Sequence, residues 1–132
     1  VIALERGACE RRCAVYSVTI RGDGSVTYEG RHYVRTTGIK RSRISPAAVA
    51  ELAAAFEAEG YYRLADQYGM AGSTEGCIEL RSDAPIAKTS IVSGGRTKTV
   101  AHHHRCVGTF SEPLKRLETA IDRAANTAQW IK

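Results

Sequence analysis

The sequence predicts an α+β fold in which two hairpins build an antiparallel sheet and two helices pack on one of its faces. Two observations lead to this prediction. Two pairs of segments rich in β-formers flank glycine-rich turns, and two other segments repeat apolar residues at helical spacing. The predicted order is β-β-β-(β)-α-β-β-α, and residues 1–132 are predicted to form a single compact domain.

Four short segments near the N-terminus are predicted strands because they are apolar or alternate between apolar and polar residues. They are 2–4, as an edge strand, 14–21, 26–35 and 39–44. The second and third give the clearest hairpin signal, because Gly22-Asp23-Gly24 between them tolerates the positive φ of a tight turn. The alternation in the third strand places His32 on the same face as Tyr28.

The first helix is predicted from Ser45, a good N-cap, and Pro46, whose missing N–H suits the first turn. Its apolar residues Val49, Leu52, Ala53 and Phe56 recur at helical spacing, and Gly60 is placed to end it.

The second hairpin and the second helix follow a glycine-rich loop. Strands over 86–92 and 96–103 flank Ser93-Gly94-Gly95. A closing helix from about residue 111 is then expected to bury the apolar residues Leu114, Leu117 and Ile121.

Positive charge is concentrated in the N-terminal third of the chain. Residues 1–43 hold nine Lys or Arg against four acids, which accounts for the whole formal charge of +5. A one-sided basic surface favours anionic partners, so we predict an interaction surface in this region. Its residues are Arg31, Arg35, Lys40, Arg41 and Arg43. No nucleic-acid-binding module is recognisable, so no specific nucleic acid is expected.

The four cysteines form a close pair, Cys9 and Cys13, and a distant pair, Cys77 and Cys106. Three connectivities are open, and pairing within each pair is favoured. In an extended strand the close pair would lie ~13 Å apart, so its disulfide requires a turn over 10–12. The distant bridge would contribute roughly 3–4 kcal/mol and the close one roughly 2 kcal/mol.

A metal site is the alternative interpretation of the same region. His102, His103 and His104 precede Cys106, and on a strand His102 and His104 point to the same side. With Cys106 they form a donor set for zinc or copper, which Cys9 and Cys13 could complete.

Motifs for catalysis are missing. The chain has no Gly-x-Ser-x-Gly elbow, phosphate loop or dinucleotide fingerprint, and Cys9-x3-Cys13 lacks the Cys-x-x-Cys spacing of thiol oxidoreductases. Glu57 and Glu59 are two residues apart on a helix and therefore point to different sides. We expect a non-enzymatic protein without a cofactor.

The composition is that of a soluble domain, and no apolar run approaches the ~18–20 residues of a membrane span. Disulfides are typical of oxidising compartments, and Val1 in place of Met is compatible with a removed signal peptide or an upstream lipid anchor. These features favour an exported protein in the periplasm or cell envelope.

Several segments also carry a family resemblance, most specifically Cys9-x3-Cys13 followed by the Gly22-Asp23-Gly24 hairpin and, at the end, Trp130-Ile131. They resemble an uncharacterised family of bacterial domains of unknown function that occurs in exported or lipid-anchored proteins. The resemblance implies export and one compact domain, and it implies no activity.

We therefore predict a non-enzymatic, exported, disulfide-reinforced domain that binds a protein or other macromolecule of the cell envelope, as an inhibitor or immunity protein does. The alternative is zinc or copper binding through His102, His104 and Cys106.

Overall fold

A computed structural model describes residues 1–132 and contains nine strands and three α-helices. The strands are β1 (Ile2–Arg6), β2 (Val15–Ile20), β3 (Ser25–His32), β4 (Gly38–Arg43), β5 (Gln67–Tyr68), β6 (Glu79–Leu80), β7 (Ile86–Ser93), β8 (Arg96–His103) and β9 (Cys106–Val107). The helices are α1 (Pro46–Ala58), α2 (Ser111–Ala125) and α3 (Ala128–Ile131). None of the helices has the length and apolar character needed to cross a bilayer.

Seven of the strands form one sheet in the order β4-β3-β2-β1-β7-β8-β5, and β6 and β9 form a separate two-stranded ribbon. All neighbours in the large sheet are antiparallel except β5 and β8. The predicted α+β class and both hairpins, β2–β3 and β7–β8, are confirmed. The short strands β5, β6 and β9 and the terminal helix α3 were not predicted.

Two local predictions were wrong. The first strand does not lie at an edge but at the centre of the sheet, where β1 pairs with both β2 and β7. His32 is exposed rather than on the apolar face. The register of β2 and β3 shifts between Val15 and Tyr16, so that Val15 pairs with His32 while Tyr16 pairs with Gly30.

The helices cover one face of the sheet. Leu52 and Phe56 of α1 and Leu114 and Leu117 of α2 join a single buried cluster with the apolar residues of that face. The sheet contributes to this cluster residues that alternate along its strands: Ile2, Leu4, Tyr16, Val18, Ile20, Val26, Tyr28, Ala87, Ile91 and Val100. The opposite face carries small and polar residues at the intervening positions.

Local signals at the helix ends were correct. Ser45 Oγ accepts a hydrogen bond from the Ala48 N–H, and Pro46 occupies the first turn of α1. Gly60 follows α1 with a φ of 72°, the left-handed conformation that glycine adopts at low cost. Asn126 ends α2 in the same conformation, with a φ of 52°.

On the sheet face that the helices cover, one set of residues paired across adjacent strands places polar side chains under α2. Arg6 on β1 pairs with Tyr16 on one side and with Ala87 on the other, and Ala87 pairs with His102 on β8. The row therefore runs Tyr16, Arg6, Ala87, His102 across four adjacent strands. Most of the other buried residues on this face are apolar, with Thr89 as a further polar one, so this row concentrates polar side chains under α2.

Candidate metal centre

Two histidines from the end of β8 meet a glutamate from α2 inside the protein. His102 is 1% exposed and Glu118 is 2% exposed, while the His104 side chain is 16% exposed. The rings of His102 and His104 stack with centroids 4.4 Å apart. The alternation along the strand thus brings both imidazoles to one side, and one potential ligand atom of each of the three residues lies within 4.8 Å of the other two.

The two histidines contact different oxygens of the carboxylate. His104 Nε2 lies 2.9 Å from Glu118 Oε1 and donates a hydrogen bond to it. His102 Nδ1 lies 3.6 Å from Glu118 Oε2, which is too long for a hydrogen bond. Both His102 Nδ1 and Glu118 Oε2 are buried and have no hydrogen-bond partner.

The other ring nitrogen of His102 fixes its tautomer. His102 Nε2 lies 3.3 Å from the carbonyl oxygen of Cys106. A carbonyl can only accept, so Nε2 is the donor, and in the neutral ring Nδ1 is left with a lone pair. That lone pair faces a carboxylate oxygen. Two acceptors in this position repel each other unless a proton or a metal ion lies between them.

The carboxylate of Glu118 is held in its charged form. Burial raises its pKa, but His104, Arg6 and, when its Nδ1 carries a proton, His102 outweigh burial and bring the pKa to about 2. Arg6 is close enough for this effect, because its Nη1 lies 3.5 Å from Glu118 Oε1.

Arg6 binds more tightly to a second acid, Asp122, one helical turn after Glu118. The Arg6 guanidinium donates to Asp122 Oδ2 over 3.1 Å and 2.8 Å. The other oxygen, Oδ1, accepts hydrogen bonds of 2.7 Å from the hydroxyls of Tyr16 and Thr127. Both oxygens of the Asp122 carboxylate are therefore hydrogen-bonded. Arg6 approaches Asp122 more closely than Glu118, at 2.8 Å against 3.5 Å, so Asp122 is its main ionic partner.

The charges in this group do not balance. With neutral histidines, the one positive charge of Arg6 faces the two negative charges of Glu118 and Asp122. Buried charge is costly unless it is paired. With neutral histidines the group is thus one positive charge short, and either a proton on His102 or a metal ion beside the unpaired oxygen of Glu118 would supply it.

The donor atoms lie near, but not at, the spacing of a tetrahedral site. Zinc binds imidazole nitrogen and carboxylate oxygen at about 2.0–2.2 Å, which puts two ligand atoms roughly 3.4 Å apart. The three candidate ligand atoms lie within 4.8 Å of one another, so small side-chain shifts would be needed to bind an ion. Two histidines and one glutamate also leave a fourth position free, as in catalytic zinc sites.

Cys106, which the sequence offered as the third ligand, is not available. It is bonded to Cys77, and Cys9 is bonded to Cys13, which is the favoured pairing. No free cysteine remains, so no thiolate can bind a metal. The Cys77–Cys106 bridge instead holds the chain directly after the site, including the carbonyl that fixes His102.

Sequence reasoning missed Glu118, although a signal was present. The residue is four positions after Leu114 and one after Leu117, so it lies within the apolar stripe of α2. An acid at such a position is rarely buried without a partner. Arg6 gives the same signal on β1, because it continues the buried alternation of Ile2 and Leu4.

The predicted basic residues are brought together only in part. Arg41 and Arg43 lie on the uncovered face of edge strand β4, and Lys40, which precedes Arg41, has the opposite orientation. Arg31 forms an ion pair with Glu29 over 2.9 Å, and Arg35 donates a hydrogen bond to the carbonyl of Gln129.

Comparison with known proteins gives a family match over nearly the whole chain. A family model described as a domain of unknown function (DUF6438) matches residues 1–125. No curated protein matches the chain.

Proposed function

The chain belongs to the DUF6438 family of domains of unknown function, and from this premise we propose that it is an exported, non-enzymatic domain that binds zinc or copper through His102, His104 and Glu118. The observation that carries the proposal is the pair of unpartnered buried atoms, His102 Nδ1 and Glu118 Oε2, which lie 3.6 Å apart. A metal ion between them would satisfy both atoms and supply the missing positive charge.

The surroundings of the site support a bound ion of this kind. The carbonyl of Cys106 orients His102 as an outer partner of a metal-bound imidazole does. Imidazole nitrogen suits both zinc and copper, and the combination of two histidines with one glutamate is an established zinc set. Since His104 Nε2 donates to Glu118 in the metal-free state, metal binding through this nitrogen requires the neutral ring to move its hydrogen to Nδ1.

Burial supports binding rather than turnover. Two of the three ligands are at most 2% exposed, so an organic substrate has little access to the fourth position. Export is supported by the two disulfides, which persist in oxidising compartments and are rare in the cytosol.

The proposal is tested by calorimetric titration of metal-stripped protein with zinc and, separately, with copper. Wild type should bind one ion, and His102→Gln, His104→Gln and Glu118→Gln should each weaken binding by at least about 100-fold. His103→Gln is the matched control, because His103 lies between the two ligands on the strand and points to the opposite side. Binding that is absent, or that is equally affected in the control, would refute the proposal.

A second candidate function is favoured by the uncovered face of the large sheet. Its central strands present small side chains there, Ala3, Ser17, Thr19 and Ser90, and no helix packs on them. Such a flat face is suited to a macromolecular partner in the cell envelope, as an inhibitor or immunity protein would require. A photo-crosslinker at Thr19 should capture this partner in the native host, and one at Glu51 on the outer side of α1 should not.

A further inference from the structure

Three arginines gather at one corner of the uncovered face. On this face Arg43 of β4 pairs with Ser25 of β3, and Arg41 pairs with Thr27. Arg21 continues the row of Ser25, since its N–H donates to the Ser25 carbonyl across the β2–β3 turn. All five side chains line one shallow depression that contains no carboxylate.

These three arginines form no ion pair, whereas six of the other eleven arginines do. Those six form ion pairs with Asp or Glu: Arg6, Arg11, Arg31, Arg81, Arg96 and Arg116. At the corner, Arg21 donates to the Thr27 hydroxyl over 3.0 Å and Arg43 contacts the Asp23 carbonyl over 3.3 Å. Arg41 has no hydrogen-bond or ion-pair partner, and the nearby Asp23 carboxylate accepts from the Ser25 N–H while attracting Arg43 and Arg21 only at longer range.

The need to keep edge strand β4 from pairing with another chain explains only part of this arginine cluster. Charged residues on an edge strand prevent it from pairing with another chain, and this explains Arg41 and Arg43 on β4. It does not explain Arg21, which follows the interior strand β2. Guanidinium groups and hydroxyls are together the donor set that binds phosphate oxygens.

We propose that this corner binds the phosphate groups of anionic phospholipids and holds the uncovered face against a membrane surface. The inference goes beyond the proposed metal site, and it gives this face a lipid surface as its partner where the second candidate function gives it a macromolecule. Ile39 supports a lipid surface as the partner: it lies on the same side of β4 as Arg41 and Arg43 and is 53% exposed. A flat sheet face with arginines and an exposed aliphatic residue suits the headgroup layer.

The test is co-sedimentation of the protein with vesicles of equal parts phosphatidylglycerol and phosphatidylcholine, compared with pure phosphatidylcholine. Wild type should bind the anionic vesicles at low salt and lose affinity as the salt concentration rises. It should not co-sediment with the neutral vesicles. The triple variant Arg21→Gln/Arg41→Gln/Arg43→Gln should bind roughly 100-fold more weakly, because each basic residue near the membrane contributes about fivefold.

The control is a triple variant with the same change in net charge at exposed arginines elsewhere: Arg12→Gln/Arg81→Gln/Arg123→Gln. It should keep most of the affinity, and an equal loss in both triples would show a net-charge effect and overturn the inference. Equal binding to neutral vesicles, no binding to anionic ones, or release by a few millimolar inorganic phosphate at constant ionic strength would also overturn it. The crosslinking experiment at Thr19 distinguishes the two occupants, because efficient capture of a protein there would show that a protein and not a lipid surface covers this face.

Discussion

His102 Nδ1 and Glu118 Oε2 face each other across 3.6 Å in the protein interior, and neither atom has a hydrogen-bond partner. The two residues come from different elements, the end of β8 and the middle of α2. A lone pair opposite a carboxylate oxygen is unfavourable without a positive charge between them. This relationship makes the cluster a candidate binding site in addition to a structural contact.

Acid should destabilise the metal-free protein through Glu118. Its pKa falls from 4.5 to about 2 on folding, so its contribution is complete above pH 4.5 and is lost as the pH falls toward 2. The contribution should be about 3 kcal/mol. Urea unfolding from pH 7 to pH 2 should show wild type more stable than Glu118→Gln at pH 7, with a gap that closes near pH 2. Glu112→Gln, an exposed change on the same helix, should leave the acid profile of wild type intact.

Arg6 and Asp122 should be strongly coupled in stability. Arg6→Leu removes the only cation in contact with both buried acids and should cost about 3–5 kcal/mol. A double-mutant cycle with Asp122→Asn should give a coupling energy above about 1.5 kcal/mol. The exposed pair Lys88–Glu5, also an ion pair at 3.1 Å, is the control and should couple by less than about 1 kcal/mol. Equal coupling in the two cycles would contradict the role given to Arg6.

The two disulfides should contribute unequally. Cys77→Ala/Cys106→Ala opens a bridge between residues 29 positions apart and should cost about 3–4 kcal/mol. Cys9→Ala/Cys13→Ala opens a separation of only 4 residues and should cost about 2 kcal/mol. Chemical denaturation of both variants measures this order. The intact mass of unreduced wild type should lie about 4 Da below that of the reduced protein, with no cysteine open to alkylation.

Tyr61 should make the protein sensitive to alkali. Burial raises its pKa from 10.0 to about 12, although hydrogen bonds at Thr89 and Val100 oppose this effect. Its neutral form is favoured in the folded state, so its contribution is intact below pH 10 and is lost as the pH rises toward 12. Tyr61→Phe should unfold more easily at pH 7 by about 1 kcal/mol, because the hydroxyl no longer donates to the Thr89 carbonyl. Its stability should then fall less steeply than that of wild type between pH 10 and pH 12.

Local patterns were sufficient to predict much of the fold. The hairpins, the Ser45 cap of α1 and the apolar stripe of α2 depend on residues close together in the sequence. The central position of β1 depends on its pairing with β7, which is more than 80 residues away, and no local pattern specifies that pairing. The exposure of His32 depends on a single bulge, which reverses the alternation at the end of β3.

The ligands of the candidate site were likewise predictable only where local sequence specifies their positions. His102 and His104 could be placed on one side of a strand from their spacing alone. The third ligand could not, because Cys106 is taken by Cys77 and the acid that replaces it lies on another element. A buried glutamate becomes acceptable only once Arg6 lies beside it, and that contact exists only in the folded chain.

Anomalous X-ray diffraction from crystals grown with zinc tests the central claim most directly, because it locates the ion and its ligands together. We predict one strong peak about 2.0–2.2 Å from His102 Nδ1, His104 Nε2 and a carboxylate oxygen of Glu118. The same peak should be missing in crystals of the Glu118→Gln variant. A peak only at surface histidines such as His32 or His103, or an empty cluster at saturating zinc, would contradict the account.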